Sequence, residues 1–203
     1  YYNHPGFVAA NLEHLEKTLA EVGEGAHVLF TTHSIPDAMA DTSGPGGGQY
    51  VTQHLALAEH LMSQIAVRAG RDLPWELVFQ SRSGPPQVPW LEPDINDRIE
   101  ELAADGVREV VVAPIGFVSD HMEVVQDLDT EARATADGCG LRFHRVPTVG
   151  DHPAFRGLAQ SVRSVRDGHA PQTVFGTPLP TPCVAGCCPN ARVQRPALCE
   201  ATS

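Results

Sequence analysis

Apolar residues are distributed along the chain in two alternating patterns. Short continuous apolar runs predict strands buried on both faces, and runs with an apolar residue every three or four positions predict amphipathic helices. The strand-like runs are 26–32, 75–80, 110–115 and 141–147. The helix-like runs are 5–22, 51–69, 93–102, 119–131 and 152–165. Because strands and helices alternate, we expect an α/β fold, a mostly parallel sheet with helices on both faces.

The periodic pattern ends near residue 166. The chain of 203 residues is long enough for one sizeable domain with a tail. We therefore expect a domain over 1–166 and a Pro-rich tail over 167–203. The Gly/Pro-rich segment 34–49 lacks the ending of a phosphate-binding loop, so we interpret it as a flexible connector.

A row of acidic residues follows the third strand-like run. Glu123, Asp127 and Glu131 recur every four residues, which places them on one slanted face of a helix. Like charges at this spacing cost about 0.2–0.5 kcal/mol per pair, which suggests that the face collects cations or protons. A solvated acidic face, on a helix capped by Ser119 or Asp120, is the alternative. The residues expected on the opposite, sheet-facing side are Val125, Leu128 and Ala132.

Polar candidates come directly after three different strand-like runs. His33 follows the first run, the loop from Ser81 to Trp90 follows the second, and the turn from Ser119 to Glu123 follows the third. Because carboxyl ends of parallel strands meet at one edge of a sheet, we expect these residues in one cleft. Trp90 can stack on a flat apolar ligand and Arg82 can bind a ligand carboxylate. Simple packing of the indole and a solvated loop cation are the alternatives.

His33 and Glu123 together offer one nitrogen and one oxygen donor. This pair suits Fe²⁺ or Zn²⁺ better than Ca²⁺. Two protein ligands hold a metal loosely, which fits a metal that is a substrate better than a structural ion. His33 can also accept protons, since histidine titrates near neutral pH. The alternative is a strand-end histidine that is hydrogen-bonded to a loop.

Composition excludes several classes of partner. The net charge of −11 gives no basic stripe to neutralise phosphates, so we expect no nucleic-acid partner. No apolar run approaches the roughly 20 residues that a membrane span needs. Cysteine is sparse in the body of the chain, which argues against a disulfide framework and favours a cytoplasmic protein.

Cysteine is dense only near the end of the chain. Cys183, Cys187 and Cys188 fall within six residues, which suggests thiolate ligation of an iron–sulfur cluster or of zinc. The adjacent pair departs from the usual zinc-knuckle spacing, so zinc is less favoured. A tail with unligated thiols is the alternative.

Four motifs together resemble the ferrochelatase family. They are Thr32 to Pro36, Gln80 to Pro85, Pro89 to Pro93 and Pro114 to Glu123. They occur in the family's order with similar separations, and the resemblance covers about residues 1–166. The cysteine-bearing tail resembles the actinobacterial branch, whose members are coproporphyrin ferrochelatases with a [2Fe–2S] cluster.

The resemblance implies a lyase of heme biosynthesis that inserts Fe²⁺ into a porphyrin, here coproporphyrin III. It implies that His33 and Glu123 are the metal-site and catalytic pair, and that Asp127 and Glu131 continue a proton or metal path. The residues it implies for porphyrin binding are Trp90, Ser81 and Arg82, and for the iron–sulfur cluster Cys183, Cys187 and Cys188. The preference for coproporphyrin over protoporphyrin rests on the tail alone.

The resemblance also implies that a second wall of the cleft is missing. Ferrochelatases have two similar domains, and this chain resembles the C-terminal one. We expect the fourth cluster ligand in the missing N-terminal portion, and an isolated fragment that binds metal weakly without turnover. Two alternatives stay open: a homodimeric single-domain tetrapyrrole chelatase, and a non-catalytic iron–sulfur or metal-binding module.

Overall fold

Four strands and a set of helices form the described part of the chain in a computed structural model. The structure describes residues 1–178, 183, 187 and 189. The strands are β1 (His27–His33), β2 (Trp75–Gln80), β3 (Glu109–Ala113) and β4 (Arg142–Arg145). The first helices are α1 (Pro5–Leu19), α2 (Asp37–Asp41), α3 (Gln49–Ala69) and α4 (Ile95–Ala104). Later come a three-part helix, described below, a 3₁₀ turn (Phe155–Gly157) and a last helix (Leu158–Arg166).

The sheet is parallel and covered on both faces, as the sequence predicts. Its strand order is β2-β1-β3-β4, and every neighbouring pair is parallel. Val28 and Phe30 pack with α1 and α3 in one core cluster, while Leu29 packs with α4 in the other. Strand β1 is buried on both faces because alternate side chains enter opposite layers. The predicted α/β fold class is confirmed.

The helix after β3 is not a regular α-helix. It consists of an α-helical start (Met122–Val124), a π-helical middle (Val125–Ala132) and an α-helical end (Arg133–Gly138), and we call this continuous run the acidic helix. In a π-helix each N–H bonds to the carbonyl five residues back, which widens the turn. The sequence pattern did not predict this.

The wider turn changes which side chains the acidic helix buries. Val125 was predicted to face the sheet, but its side chain is 37% exposed. Val124, Leu128, Ala132 and Ala136 are fully buried, at intervals of four residues. The prediction is correct for Leu128 and Ala132 and wrong for Val125.

The segment between β1 and α3 is not simply a connector. It contains the short helix α2, which begins after Pro36, and then a turn with four glycines at positive φ. Gly47 has a φ of 80°, and a Cβ there would lie 2.4 Å from the carbonyl oxygen of Asp41. The glycine therefore permits a close approach that fixes the path into α3.

Residues 174–176 lie against the start of the chain. The N–H of Val174 donates to the carbonyl of Asn3, and the Asn3 amide donates to the carbonyl of Phe175. The Phe175 ring stacks on His60 with 4.6 Å between ring centroids. The domain boundary at 166/167 stays a prediction.

The helices in the described part of the chain do not combine the length and the apolar character that a membrane span requires.

Candidate active site

His33 and Glu123 meet at the carboxyl edge of the sheet. His33 is the last residue of β1, and Glu123 lies in the first turn of the acidic helix. The imidazole Nε2 is 3.5 Å from Glu123 Oε1, and the two side chains are 33% and 47% exposed. The sequence predicted that these two residues would meet at this edge of the sheet, and in the structure they lie together there.

The tautomer of His33 follows from its other nitrogen. Nδ1 is in hydrogen-bonding contact with the carbonyl oxygen of Ser34. A carbonyl only accepts, so Nδ1 carries the proton and Nε2 of the neutral ring presents a lone pair. That lone pair faces the Glu123 carboxylate, which is also an acceptor. A proton or a metal cation between the two would relieve this opposition.

Tyr50 holds the backbone on which His33 sits. Its hydroxyl donates to the carbonyl oxygen of His33 at 2.7 Å and accepts from the Thr32 hydroxyl at 2.8 Å. Burial raises the pKa of Tyr50, so the phenol stays a donor at neutral pH. Sequence reasoning missed this residue, because a single tyrosine at the start of a helix carries no recognisable pattern.

Gly116 allows the loop after β3 to lie directly on β1. A Cβ at this position would come within 2.1 Å of Thr32 Oγ1, and the Gly116 N–H donates to the Thr31 carbonyl at 3.1 Å. Any larger residue would have to displace the strand end that carries His33.

Asp127 is bonded to the end of β2. The Gln80 amide donates to Asp127 Oδ2 at 3.2 Å, and the Ser81 hydroxyl donates to the same oxygen. Glu131 is exposed and accepts from the Gln126 amide at 3.1 Å. Among the described residues, no group of three His, Cys, Asp or Glu side chains is arranged to hold a metal ion. The structure thus brings His33 and Glu123 together as a pair, without Asp127 or Glu131.

Arg145 fixes the start of the acidic helix. It lies at the end of β4 with a side chain only 12% exposed. Its guanidinium donates to Asp120 Oδ1 at 2.6 Å and to Asp129 Oδ1 at 3.1 Å. The helix cap is His121, whose ring accepts from the Val124 N–H, so the expected caps Ser119 and Asp120 are wrong. Sequence reasoning missed Arg145, since its partners are distant along the chain.

The loop after β2 folds back onto the segment after β1. Trp90 pairs with Pro36 as an antiparallel bridge, and its indole packs against Gly84, where a Cβ would lie 2.3 Å from Nε1. Arg82 is exposed, with its guanidinium 3.6 Å from the carboxylate of Glu92. The porphyrin-binding roles predicted for Trp90, Ser81 and Arg82 stay predictions.

Two of the predicted cluster cysteines fall on described residues. Cys183 is exposed and Cys187 is buried. Cys188 lies outside the described residues. The predicted cluster site therefore stays a prediction.

These features define a parallel α/β domain with a histidine–carboxylate pair at the carboxyl edge of its sheet. A model of the ferrochelatase family matches residues 1–165. The chain belongs to the ferrochelatase family.

Relatives with a stated activity match nearly the whole chain. Coproporphyrin III ferrochelatase of Streptomyces coelicolor is 49% identical over 219 residues, covering 100% of this chain and 58% of the relative. The protein of the same name from Propionibacterium freudenreichii is 50% identical over 203 residues, covering 98% of this chain and 56% of the relative. The chain thus spans somewhat more than half the length of these relatives.

Proposed function

We propose that this chain supplies the metal-site wall of a coproporphyrin III ferrochelatase. The observation that supports it best is the His33–Glu123 pair, in which the imidazole Nε2 lies 3.5 Å from a carboxylate oxygen, so that one nitrogen and one oxygen ligand are side by side. Such a pair can hold Fe²⁺ weakly on its way to the macrocycle. The names of the relatives support coproporphyrin III as the porphyrin.

The reaction converts Fe²⁺ and a porphyrin into the ferrous porphyrin and two protons, which leave the pyrrole nitrogens. His33 Nε2 and Glu123 are the groups placed to receive the metal or those protons. Asp127 and Glu131 continue the acidic face of the same helix, and we propose them as the onward path. Because Fe²⁺ is the substrate, a site with only two protein ligands suits its release.

The surface beside Glu123 suits a flat apolar ring. Met122, the residue before Glu123, is an apolar side chain that is 82% exposed, and Val118 in the preceding loop is 39% exposed. In the loop after β2, Trp90 can contact the face of the porphyrin ring. Arg82 can bind a propionate of the porphyrin, since the contact of its guanidinium with Glu92 is loose. Ser81 is the third proposed contact of the porphyrin.

A chimera tests this function. The chain is joined to the part of the Propionibacterium freudenreichii relative that it does not cover, and Fe²⁺ insertion into coproporphyrin III is followed by absorbance. We expect insertion by the chimera and none by the 203-residue chain alone. Glu123→Gln in the chimera should lower the rate about 100-fold, the size of a lost proton-transfer group. An unchanged rate in Glu123→Gln would reject the site assignment.

The same assay separates the alternative of a homodimeric chelatase. If the isolated chain inserts iron and its mass in solution is that of a dimer, two copies form the cleft and no further domain is needed. Insertion by the chimera alone rejects this alternative.

We further propose a [2Fe–2S] cluster on Cys183, Cys187 and Cys188, with a fourth ligand outside this chain, in a cytoplasmic protein. The support is the cysteine spacing and the burial of Cys187. The visible spectrum of the purified chimera should show a cluster band that disappears in Cys187→Ser. Cys139→Ser is the control, since Cys139 lies at the end of the acidic helix.

A further inference from the structure

Gln80 is a buried amide beside the candidate site. It ends β2 directly opposite His33 in the β1–β2 register and is 1% exposed. The buried Thr31 hydroxyl donates to Gln80 Oε1 at 2.5 Å. Since the amide oxygen is taken by this donor, the amide nitrogen must point the other way, toward Asp127. The orientation of the Gln80 amide is therefore fixed from inside the sheet.

Ser81 reinforces the same contact. Its φ of 64° lies in the left-handed region, which residues other than glycine rarely adopt. In this conformation its hydroxyl donates to Asp127 Oδ2, the oxygen that also accepts from Gln80. The end of β2 is thus bonded twice to the π-helical part of the acidic helix.

The acidic helix is also held by β4, the edge strand on the other side of the sheet from β2. Arg145, at the end of β4, binds Asp120 before the helix and Asp129 within it. Strands β2 and β4 are the two edges of the sheet, and His33 lies on β1 between them. Glu123 itself has one polar side-chain contact among the described residues, with His33. Its position therefore depends on how the helix is held.

We propose that Gln80 is a positioning residue that acts through Asp127 to set the distance between His33 Nε2 and Glu123. This inference rests on the proposed function, since it assumes that the His33–Glu123 pair binds metal. It gives Asp127 a geometric role in addition to its charge.

Co²⁺ binding to the 203-residue chain, measured by isothermal titration calorimetry, tests the proposal. Gln80→Leu should weaken Co²⁺ binding about tenfold, the size expected when a group that orients a metal ligand is lost. The same substitution should cause no further loss in an Asp127→Leu background, because its effect passes through Asp127. Gln126→Leu is the matched control, since Gln126 lies on the same helix but binds Glu131, and should leave the affinity unchanged.

Two further variants keep the test decisive if Gln80→Leu disturbs folding. Ser81→Gly removes the hydroxyl donor while suiting the positive φ, and should weaken Co²⁺ binding without loss of thermal stability. Asp127→Asn keeps an oxygen that can accept from Gln80, and should retain more affinity than Asp127→Leu.

The outcomes distinguish this inference from the proposed function. Unchanged affinity in both Gln80→Leu and Ser81→Gly, or losses that add in the double variant, would overturn the positioning role alone. Unchanged affinity in His33→Ala would overturn the proposed function and this inference with it.

Discussion

Two histidine–carboxylate pairs lie at opposite edges of the same sheet. At the amino edge, His144 Nε2 is 2.8 Å from Glu109 Oε1, and the Glu109 side chain is 6% exposed. At the carboxyl edge, His33 and Glu123 are 3.5 Å apart, and the Glu123 side chain is 47% exposed. The chemical groups are the same, but their surroundings differ.

The difference lies in how many donors each carboxylate has. Glu109 accepts two hydrogen bonds from Arg142, one from His144 and one from the Gly23 N–H. Among the described residues, Glu123 faces only His33. A carboxylate with all its acceptor positions filled holds the fold together, whereas one left open can take a cation or a proton.

Removing each carboxylate should affect stability very differently. Glu109→Ala leaves a backbone N–H and a histidine without their partner, so we expect a loss of about 2 kcal/mol in the free energy of unfolding. Glu123→Ala should change that free energy by less than about 0.5 kcal/mol, as for an open surface position. Urea unfolding of both variants measures this. Equal losses would contradict the distinction between the two edges.

Tyr50→Phe separates support from chemistry within the carboxyl edge. The substitution removes the hydroxyl that donates to the His33 carbonyl, and should cost about 1 kcal/mol in unfolding free energy. Thermal unfolding measures this cost. Tyr2→Phe is the control, since it also removes a tyrosine hydroxyl, but from a ring that packs on Phe175. A stability equal to that of the unaltered protein would show that the hydroxyl does not support the strand end.

The amino-edge pair should also give a dependence on pH. Hydrogen bonds from Arg142 are the main cause that lowers the pKa of Glu109 from 4.5 to about 2, with further help from Gly23 and His144. A carboxyl whose pKa is lowered on folding stabilises the fold above its unfolded pKa, and this contribution is lost as pH falls from about 4.5 toward about 2.

The size of this contribution is limited by solvent, because Arg142 is exposed. We expect under about 1 kcal/mol, measured as the difference in unfolding free energy between the unaltered protein and Glu109→Gln from about pH 5 to pH 2.5. The difference should shrink as the pH falls. A constant difference across this range would mean that Glu109 is not ionised with a lowered pKa.

The sequence predicts the layers and the convergence of the site because both follow from short-range patterns. Apolar runs predicted the four parallel strands, and strand ends predicted that His33 and Glu123 meet. The π-helical turn was not predicted, because a four-residue repeat of acidic and apolar side chains fits an α-helix equally well. Val125 was misplaced for this reason.

The contacts that support the site join residues that are far apart in the sequence, so no local pattern predicts them. Gln80 and Asp127 are 47 positions apart, and Arg145 and Asp120 are 25 positions apart. Both contacts form only after the sheet has assembled. The sequence motif contains Gln80 and Asp120, but it does not show which partners they choose.

Zinc titration followed by NMR of the histidine side chains tests the central claim most directly. In long-range ¹H–¹⁵N spectra of the 203-residue chain, Zn²⁺ should shift the Nε2 resonance of His33 and leave that of His144 unchanged. Glu123→Gln should weaken the His33 response, and Glu109→Gln should not. A His33 resonance that does not move with Zn²⁺, or a His144 resonance that moves instead, would contradict the assignment of the open pair as the metal site.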